Sequence, residues 1–460
     1  MAATRFIRYF GAVNIGSFRI SAMIMGLTES GELQVLGSGH RASNGIKRGY
    51  VTDMAAATYA IRDAVERAEK NAGTSVQSVW VGCAGAGLAS QVAKVEIDIG
   101  GRRIEEEDIE HLLIAARDTI QPDGRMVLHA QPAHYTLDGA HGVANPKGLH
   151  AERLGVDIHV MLADGAPVRN LTEAVQNAHL DVEAVVAAPL AAGYACLSEE
   201  ERELGVALVE IGGEVTNVAV YAGGMLLGLK ALPYGSGDIS DAIASAFGIR
   251  KFQAERLKCV SGSAIASPTD HREMIPVNGP GDDQAGPVAR GADDKNRIAR
   301  AELVSIVTQH LSGLTDEIGR ALKSMGFTGI RGGQVVMTGG GAELAGLAEF
   351  AQGALGMPVR IGRPPALTGL PEAHATPGFA TLAGLCLYAA DDPIDIRFDR
   401  RNARAHHALG WGSGPGSAVA RVAREFLKEK GAISRALTTV DKGYCAIKRI
   451  AALCHIGANG

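Results

Sequence analysis

No two of the six cysteines (Cys83, Cys196, Cys259, Cys386, Cys445 and Cys454) stand as a CxxC pair or at metal-ligand spacing. Most of them read as small buried apolar groups, which fits a reducing cytoplasm. No apolar run approaches the roughly 20 residues that span a bilayer. The N-terminus also lacks the basic-then-apolar order of a signal segment, so any membrane contact is expected to be peripheral. A formal charge of -5 gives no overall electrostatic reason to bind nucleic acid, local basic patches aside, and no nucleic-acid partner is expected. What is present is ordinary globular composition: 460 residues, 46% hydrophobic and 21% charged. That is enough chain for two or more domains, with no sign of global disorder.

Three glycine-marked turns, far apart in the chain, carry the most information: GAVNIGSFRI (Gly11 to Ile20), VALVEIGGEVTNVAVYAGG (Val206 to Gly224) and VVMTGGGAEL (Val335 to Leu344). The first two share one pattern: a β-branched run, a lone polar side chain, a glycine turn and an apolar return strand, as in a hairpin. A backbone without Cβ can approach a phosphate closely. Two such turns facing each other would hold a phosphate tail between two lobes, and the third could hold the nucleoside. Taken singly, each turn is also a plain structural hairpin.

Along the chain, residues 11–25 read as two strands, 51–72 as a helix and 76–82 as a strand, an order typical of an α/β domain with a mixed sheet. Residues 92–99 alternate as a strand, 105–120 form an amphipathic helix with an acidic first turn, and 126–133 read as a strand, together a small α+β insert. Five histidines between His129 and His159 match no metal-binding spacing and are expected to be solvated loop residues. A helix (169–178), a strand (182–188) and a second helix (190–197) complete a first lobe, and the acidic run Ser198 to Glu203 marks the crossing to a second. Residues 261–297, rich in Gly, Pro, Ser and Asp, suggest strands and loops of another small insert before a long helix over 299–323. Residues 391–416 have linker composition.

The stretch ELGVALVEIGGEVTNVAVYAGGMLLGLKALPYG, followed by AFGIRKFQAERLK, resembles the FtsA family of actin-like bacterial cell-division proteins. The resemblance runs from Phe10 to about Ala390 and includes PLAAGYACLSEEERELGV, GGQVVMTGGGAEL and PGFATLAGLCLYA. It implies an α/β, actin-like two-lobed ATPase fold with a small α+β insert in the first lobe and a C-terminal amphipathic helix. The expected organisation is a first lobe of residues 1–84 and 164–204, an insert of 85–163, a second lobe of 205–240 and 306–390, a small subdomain of 241–305, a linker of 391–416 and a tail of 417–460. The resemblance also implies ATP and Mg²⁺ as cofactors. Its implied partners are the C-terminal tail of FtsZ, received by the small subdomain, further copies of the chain in a filament, the anionic inner face of the cytoplasmic membrane at the division site, and other division proteins.

By the same resemblance, the nucleotide-binding residues are Asn14, Gly16, Ser17 and Arg19 in the first turn, and Glu210, Gly212, Gly213, Glu214 and Asn217 in the second. Glu255 and Lys258, with Gly339, Gly340 and Gly341, would meet the nucleoside. Asn14 stands where the family has an aspartate that holds Mg²⁺ through water, Glu210 and Asn217 replace aspartates, and Glu214 replaces a common glycine. Glu210 is then the one carboxylate left for the metal, held through water. Glu214 would either repel phosphate or point to solvent. Holding a nucleotide needs a less exact site than positioning an attacking water, so ATP binding with slow or negligible hydrolysis is expected. Arg19 reads either as a phosphate ligand or as a surface arginine. Glu255 and Lys258, at i, i+3 spacing, read either as adenosine contacts or as a solvated ion pair.

In SAVARVAREFLKEK, Val419, Val422, Ala423, Phe426 and Leu427 share one helical face, opposite Arg421, Arg424, Glu425, Lys428 and Glu429. The net charge of +2 over 417–430 suits anionic lipid, and core packing is the competing reading. The resemblance favours the membrane, with Val419, Val422, Phe426 and Leu427 partly immersed. One such helix binds reversibly, and a filament would add avidity. Residues 443–456 carry a second apolar face at helical spacing and admit a lipid-facing, packed or disordered reading. Within the same superfamily, a sugar or acyl kinase would need a carboxylate base, for which Glu210 is the obvious candidate. A pilus-assembly actin homologue would share the fold, and a chaperone would need more chain after the ATPase body than is present.

Overall fold

Alternating β-branched and apolar residues over Phe6–Ile15 (β1) and Arg19–Thr28 (β2) pair as an antiparallel hairpin in which Asn14 faces Ser21 and Ile15 faces Ile20. The computed structural model describes residues 6–85, 87–277, 297–329, 333–391 and 393–397. The amphipathic tail, with Val419, Val422, Phe426 and Leu427, lies outside the described residues, as do 398–460 as a whole and 278–296 of the small subdomain.

β3 (Leu33–Ala42) extends the hairpin, and a two-stranded ribbon of β4 (Ile46–Lys47) and β5 (Tyr50–Val51) follows. α1 (Met54–Ala72) starts where Asp53 accepts the Ala56 N–H and stops at Gly73 with φ 68°. Its buried face, Ala57, Ala60, Ile61, Ala64, Val65 and Ala68, has the spacing of a core-facing helix. β6 (Ser78–Cys83) runs parallel to β1. The insert comprises β7 (Ala89–Asp98), α2 (Glu106–Thr119), β8 (Met126–Leu137), β9 (Ala140–Val143) and β10 (Arg153–Ala163). α3 (Gly165–Asn177) then leads to β11 (Asp181–Ala187), which closes a five-stranded sheet in the order β11-β6-β1-β2-β3.

Past α4 (Ala188–Cys196) and α5 (Glu199–Leu204), the plan repeats. β12 (Val206–Ile211), β13 (Thr216–Ala222) and β14 (Met225–Leu232) form an antiparallel meander. α6 (Ser236–Phe247), α7 (Lys251–Ser261), the short pair β15 (Met274–Pro276) and β16 (Arg297–Ala299), and α8 (Arg300–Ser324) come next. β17 (Gln334–Thr338), α9 (Leu347–Leu355) and β18 (Val359–Ile361) complete the second sheet, and α10 (Ala380–Asp391) ends the body. The order β18-β17-β12-β13-β14 reproduces β11-β6-β1-β2-β3 strand for strand, with the same parallel and antiparallel pairings. The duplication read from the two hairpins therefore extends to whole sheets.

The lobes meet at α4 and α10, which are apolar on every side and correspondingly buried. At their crossing, a Cβ on Gly384 would overlap the Ala191 carbonyl oxygen. The lobe cores are distinct: Ile15, Met23, Ile61 and Leu190 belong to the first, and Val209, Ile243, Leu303 and Met337 to the second. Fully burying each such side chain contributes about 1.5–3 kcal/mol.

β7, β10, β8 and β9 continue the second sheet through one pairing, Lys230 with Ala89, and α2 covers a third core that includes Ile104, Leu112 and Ile158. Two of the five histidines expected in solvated loops are buried here instead: His129 on β8 at 1% exposure and His159 on β10 at 3%. Both lie in strands, and the His159 strand was not read from the sequence because its pattern is nearly continuously apolar rather than alternating. The His129 ring accepts the Ala187 N–H at 3.3 Å and lies 3.3 Å from the Tyr388 hydroxyl and 3.6 Å from Asp395. The chain leaving α10 returns to the insert: the Ile396 N–H donates to the Ala130 carbonyl at 2.9 Å, and Ile396 is buried in the third core.

Candidate functional site

The two glycine turns end corresponding hairpins, β1–β2 and β12–β13, and the structure brings them into contact across the lobes. In the first, the Gly16 N–H donates to the Arg19 carbonyl at 3.2 Å; in the second, the Gly212 N–H donates to the Val215 carbonyl at 2.9 Å. A Cβ on Gly213 would lie 2.9 Å from the Phe18 Cβ, so glycine permits the close approach. The start of α6 supports the second turn: Ser236 and Gly237 donate N–H bonds to the Gly212 and Gly213 carbonyls at 2.9 and 2.6 Å. Among the described residues, the N–H groups of Ser17, Phe18, Gly213 and Glu214 make no hydrogen bond and remain available to a ligand or solvent. Facing glycine turns with available N–H donors fit a phosphate chain.

Glu214 is half-buried and engaged by the first lobe. Its Oε2 accepts the Arg48 N–H at 2.7 Å, across the lobes. The Ser17 Oγ likewise accepts the Gly49 N–H, at 3.2 Å. The Arg19 guanidinium lies 3.9 Å over the Phe379 ring and donates to the Gly378 carbonyl at 3.0 Å. Burial lowers its pKa against the raising effect of Glu343. Glu343 in turn accepts the Gly378 N–H at 3.0 Å. Arg19 ties the first hairpin to the segment before α10.

Glu210 is buried. Its Oε2 accepts from the Asn217 amide at 2.9 Å, and its Oε1 from the Thr381 hydroxyl. Burial raises its pKa, opposed by the bonds from Thr381 and Asn217. This does not fit the role of magnesium carboxylate drawn from the resemblance. Both oxygens already accept a bond, burial favours the neutral acid, and neither Asn14 nor Asn217 supplies a charge. Among the described residues, no three His, Cys, Asp or Glu side chains converge to hold a metal. Asn217 Oδ1, on the residue that faces Glu210 across the hairpin, is buried without a hydrogen bond, as is Thr216 Oγ1 on the neighbouring residue. Asn14 Oδ1 would lie 3.0 Å from a Cβ on Gly82, which places it against the first-lobe sheet.

The Glu255–Lys258 pair is not solvated. Lys258 is 5% exposed, and its Nζ donates at 2.8 Å to each of the Ser236 carbonyl, Ser240 Oγ and Glu255 Oε2. An ammonium has three N–H donors, so all are engaged and the pair locks α7 onto α6. Burial pushes the Glu255 carboxyl up, but the Lys258 charge and the bonds from Lys258, Ser240 and Cys259 outweigh it, leaving the pKa lowered.

The third turn divides its three glycines between two tasks. Gly339, at φ 86°, and Gly341 pack on Ile211, whereas Gly340 faces open space. Sequence reasoning missed Arg48, Gly49, Thr381 and Phe379. Arg48 and Gly49 form the turn of the six-residue β4–β5 ribbon, Phe379 stands just before α10 and Thr381 in its first turn, all far along the chain from the hairpins they reach. A groove of about 570 Å³ lined by residues such as Met126, Leu128, Val168, Arg169, Val185 and Arg397 includes none of the turn residues and no paired catalytic groups.

The family model for "Cell division protein FtsA" matches residues 207–384, and that for "SHS2 domain inserted in FTSA" matches residues 85–162. The chain is 35% identical over 430 residues to the cell division protein FtsA of Agrobacterium fabrum, covering 91% of this chain and 94% of that one. It is 30% identical over 387 residues to the cell division protein FtsA of Escherichia coli, covering 83% and 90%. Among solved structures, the PilM-PilN type IV pilus biogenesis complex is similar at a TM-score of 0.58 and 18% identity, over 83% of this chain and 98% of that one. MreB 5 of Spiroplasma citri bound to AMPPNP is similar at 0.50 and 12%, over 88% and 99%. These two likenesses concern the fold alone, an actin-like ATPase architecture. Matched across both of its lobes and its insert, the chain belongs to the FtsA family of cell division proteins.

Proposed function

We propose that this chain is an ATP-binding scaffold of cell division that polymerises and tethers FtsZ filaments to the inner face of the cytoplasmic membrane. The observation that carries the nucleotide part is the meeting of the two glycine turns across the lobes, with Phe18 against Gly213 and N–H donors available on both sides. The phosphates would lie along Gly16 and Ser17 on one side and Gly212 and Gly213 on the other, with the nucleoside at Gly340. Glu255 and Lys258 would shape the nucleoside side through α6 and α7. Magnesium would be held chiefly by the phosphates and water, because Glu210 offers a poor carboxylate.

Hydrolysis is expected to be slow or absent. The buried carboxylate at the turns, Glu210, is enclosed by Thr381 and Asn217 and is not free to orient an attacking water. ATP closing the lobes would favour stacking of copies, and stacking would add the weak membrane contacts of Val419, Val422, Phe426 and Leu427 into stable attachment. The FtsZ tail would dock on the small subdomain around α7 and β15–β16. Among the described residues, no helix is long and apolar enough to cross a membrane. The test is co-sedimentation of FtsZ with anionic liposomes. FtsZ should pellet only with this chain present, and more with ATP than without; recovery that is independent of the chain contradicts the tether.

A further inference from the structure

The turn joining β4 to β5 contains two consecutive residues of positive φ, Arg48 at 52° and Gly49 at 80°. Successive N–H groups in such a turn point into one concavity, a shape that receives anions. Here two oxygens from the two glycine turns fill it. The Gly49 N–H donates to Ser17 Oγ, and the Arg48 N–H, at 2.7 Å, donates to the carboxylate of Glu214. The Arg48 side chain adds grip on the second lobe, donating to the Pro233 carbonyl at 2.6 Å and lying 3.7 Å from Asp238. A single first-lobe turn therefore touches both phosphate turns and clasps the second lobe through a carboxylate.

A carboxylate and a terminal phosphate are interchangeable occupants of such a concavity, since each presents anionic oxygen to the same N–H donors. We propose that Glu214 is a built-in competitor for the terminal phosphate of a nucleoside triphosphate: it clasps the lobes through the Arg48–Gly49 turn and is displaced when that phosphate enters. This rests on the reading of the cleft as a nucleotide site. Ser17 stays with Gly49 in either state, so only the Arg48 N–H changes partner. A diphosphate, which lacks the terminal group, leaves the clasp in place. Glu214 thereby sets how strongly the site prefers triphosphate over diphosphate.

The test uses the full chain and the variants Glu214→Gly and Glu214→Gln, the second keeping the side-chain shape should the first fold poorly. Hydrogen exchange of residues 46–52 without nucleotide reads the clasp alone. Glu214→Gly should exchange the Arg48 amide at least about tenfold faster than the parent, the factor that corresponds to about 1.4 kcal/mol, and Glu214→Gln, which keeps a neutral acceptor oxygen, should exchange it faster than the parent by a smaller factor. Unchanged exchange overturns the clasp. Titration with fluorescent ATP and ADP analogues reads the competition. Triphosphate affinity should rise about tenfold in Glu214→Gly and by a smaller factor in Glu214→Gln, while diphosphate affinity stays within about twofold in both. Equal gains for both nucleotides, or none, overturn the competitor role. If parent and variants all fail to bind either nucleotide, the nucleotide reading fails and takes the competitor role with it, while the exchange result still decides whether the clasp exists.

Discussion

His159 gives the sharpest test of how the insert is fixed to the body. It is buried on β10 and its Nε2 has no hydrogen-bond partner. Burial, with a further contribution from His129, lowers its pKa to about 4. In an unfolded chain the same imidazole titrates near 6.5. The unfolded state therefore binds a proton between pH 6.5 and pH 4 that the folded state refuses, so stability is full above that window and declines as the pH falls through it. From pH 7.5 to pH 5 this one side chain costs about 2 kcal/mol. His129, whose pKa is lowered by burial and by Arg397 against the raising effect of Asp395, acts with the same sign. The measurement is urea unfolding of the full chain and of His159→Gln at pH 7.5 and 5.0. Groups common to both proteins cancel in the comparison. The parent should lose about 2 kcal/mol more than the variant across that interval. Equal losses would mean that His159 is protonated in the native state, and the reasoning from its burial would be wrong.

Four other outcomes are expected. Gly384→Ala should push α10 off the Ala191 carbonyl and lower stability by at least about 1–3 kcal/mol, read as a drop in melting temperature. Lys258→Met should cost about 3 kcal/mol in urea unfolding by leaving Glu255 half-buried without its cation, and adding Glu255→Gln should recover part of it. Because Glu210, Asn14 and Asn217 form a poor metal site, ATP affinity measured in Mg²⁺ and in EDTA should differ by less than about tenfold, or about 1.4 kcal/mol. Truncation after Gly416 should abolish flotation with anionic liposomes, whereas undiminished flotation would discard the anchor.

The fold was legible where local pattern and tertiary role agree. The hairpins around Gly16 and Gly212 are turns the sequence requires, and α2 (106–119), expected over 105–120, is marked by its acidic first turn and apolar face. β10 was not legible, because a strand buried on both faces has no alternation to read, and His159 inside it passed for a loop residue. The site was legible as a set of turns but not as a set of contacts. Glu210, Glu214, Arg19 and Lys258 are charged groups whose partners, Thr381, Arg48, Phe379 and Ser240, come from other elements, and a one-dimensional spacing rule cannot see them. What the sequence presents as a ring of candidate ligands is, in three dimensions, a set of charged side chains already engaged by other elements around glycine backbone, with the Asn217 Oδ1 left unpartnered.

Under the proposed function the backbone turns bind the phosphates, and calorimetric titration of the full chain with ATP and with ADP tests this most directly. Saturable heat fitting a single site should appear with both nucleotides, and Gly213→Val, which forces a branched side chain against Phe18, should abolish it without unfolding either lobe. A folded parent protein that gives no heat with either nucleotide would contradict the nucleotide-binding reading of the cleft.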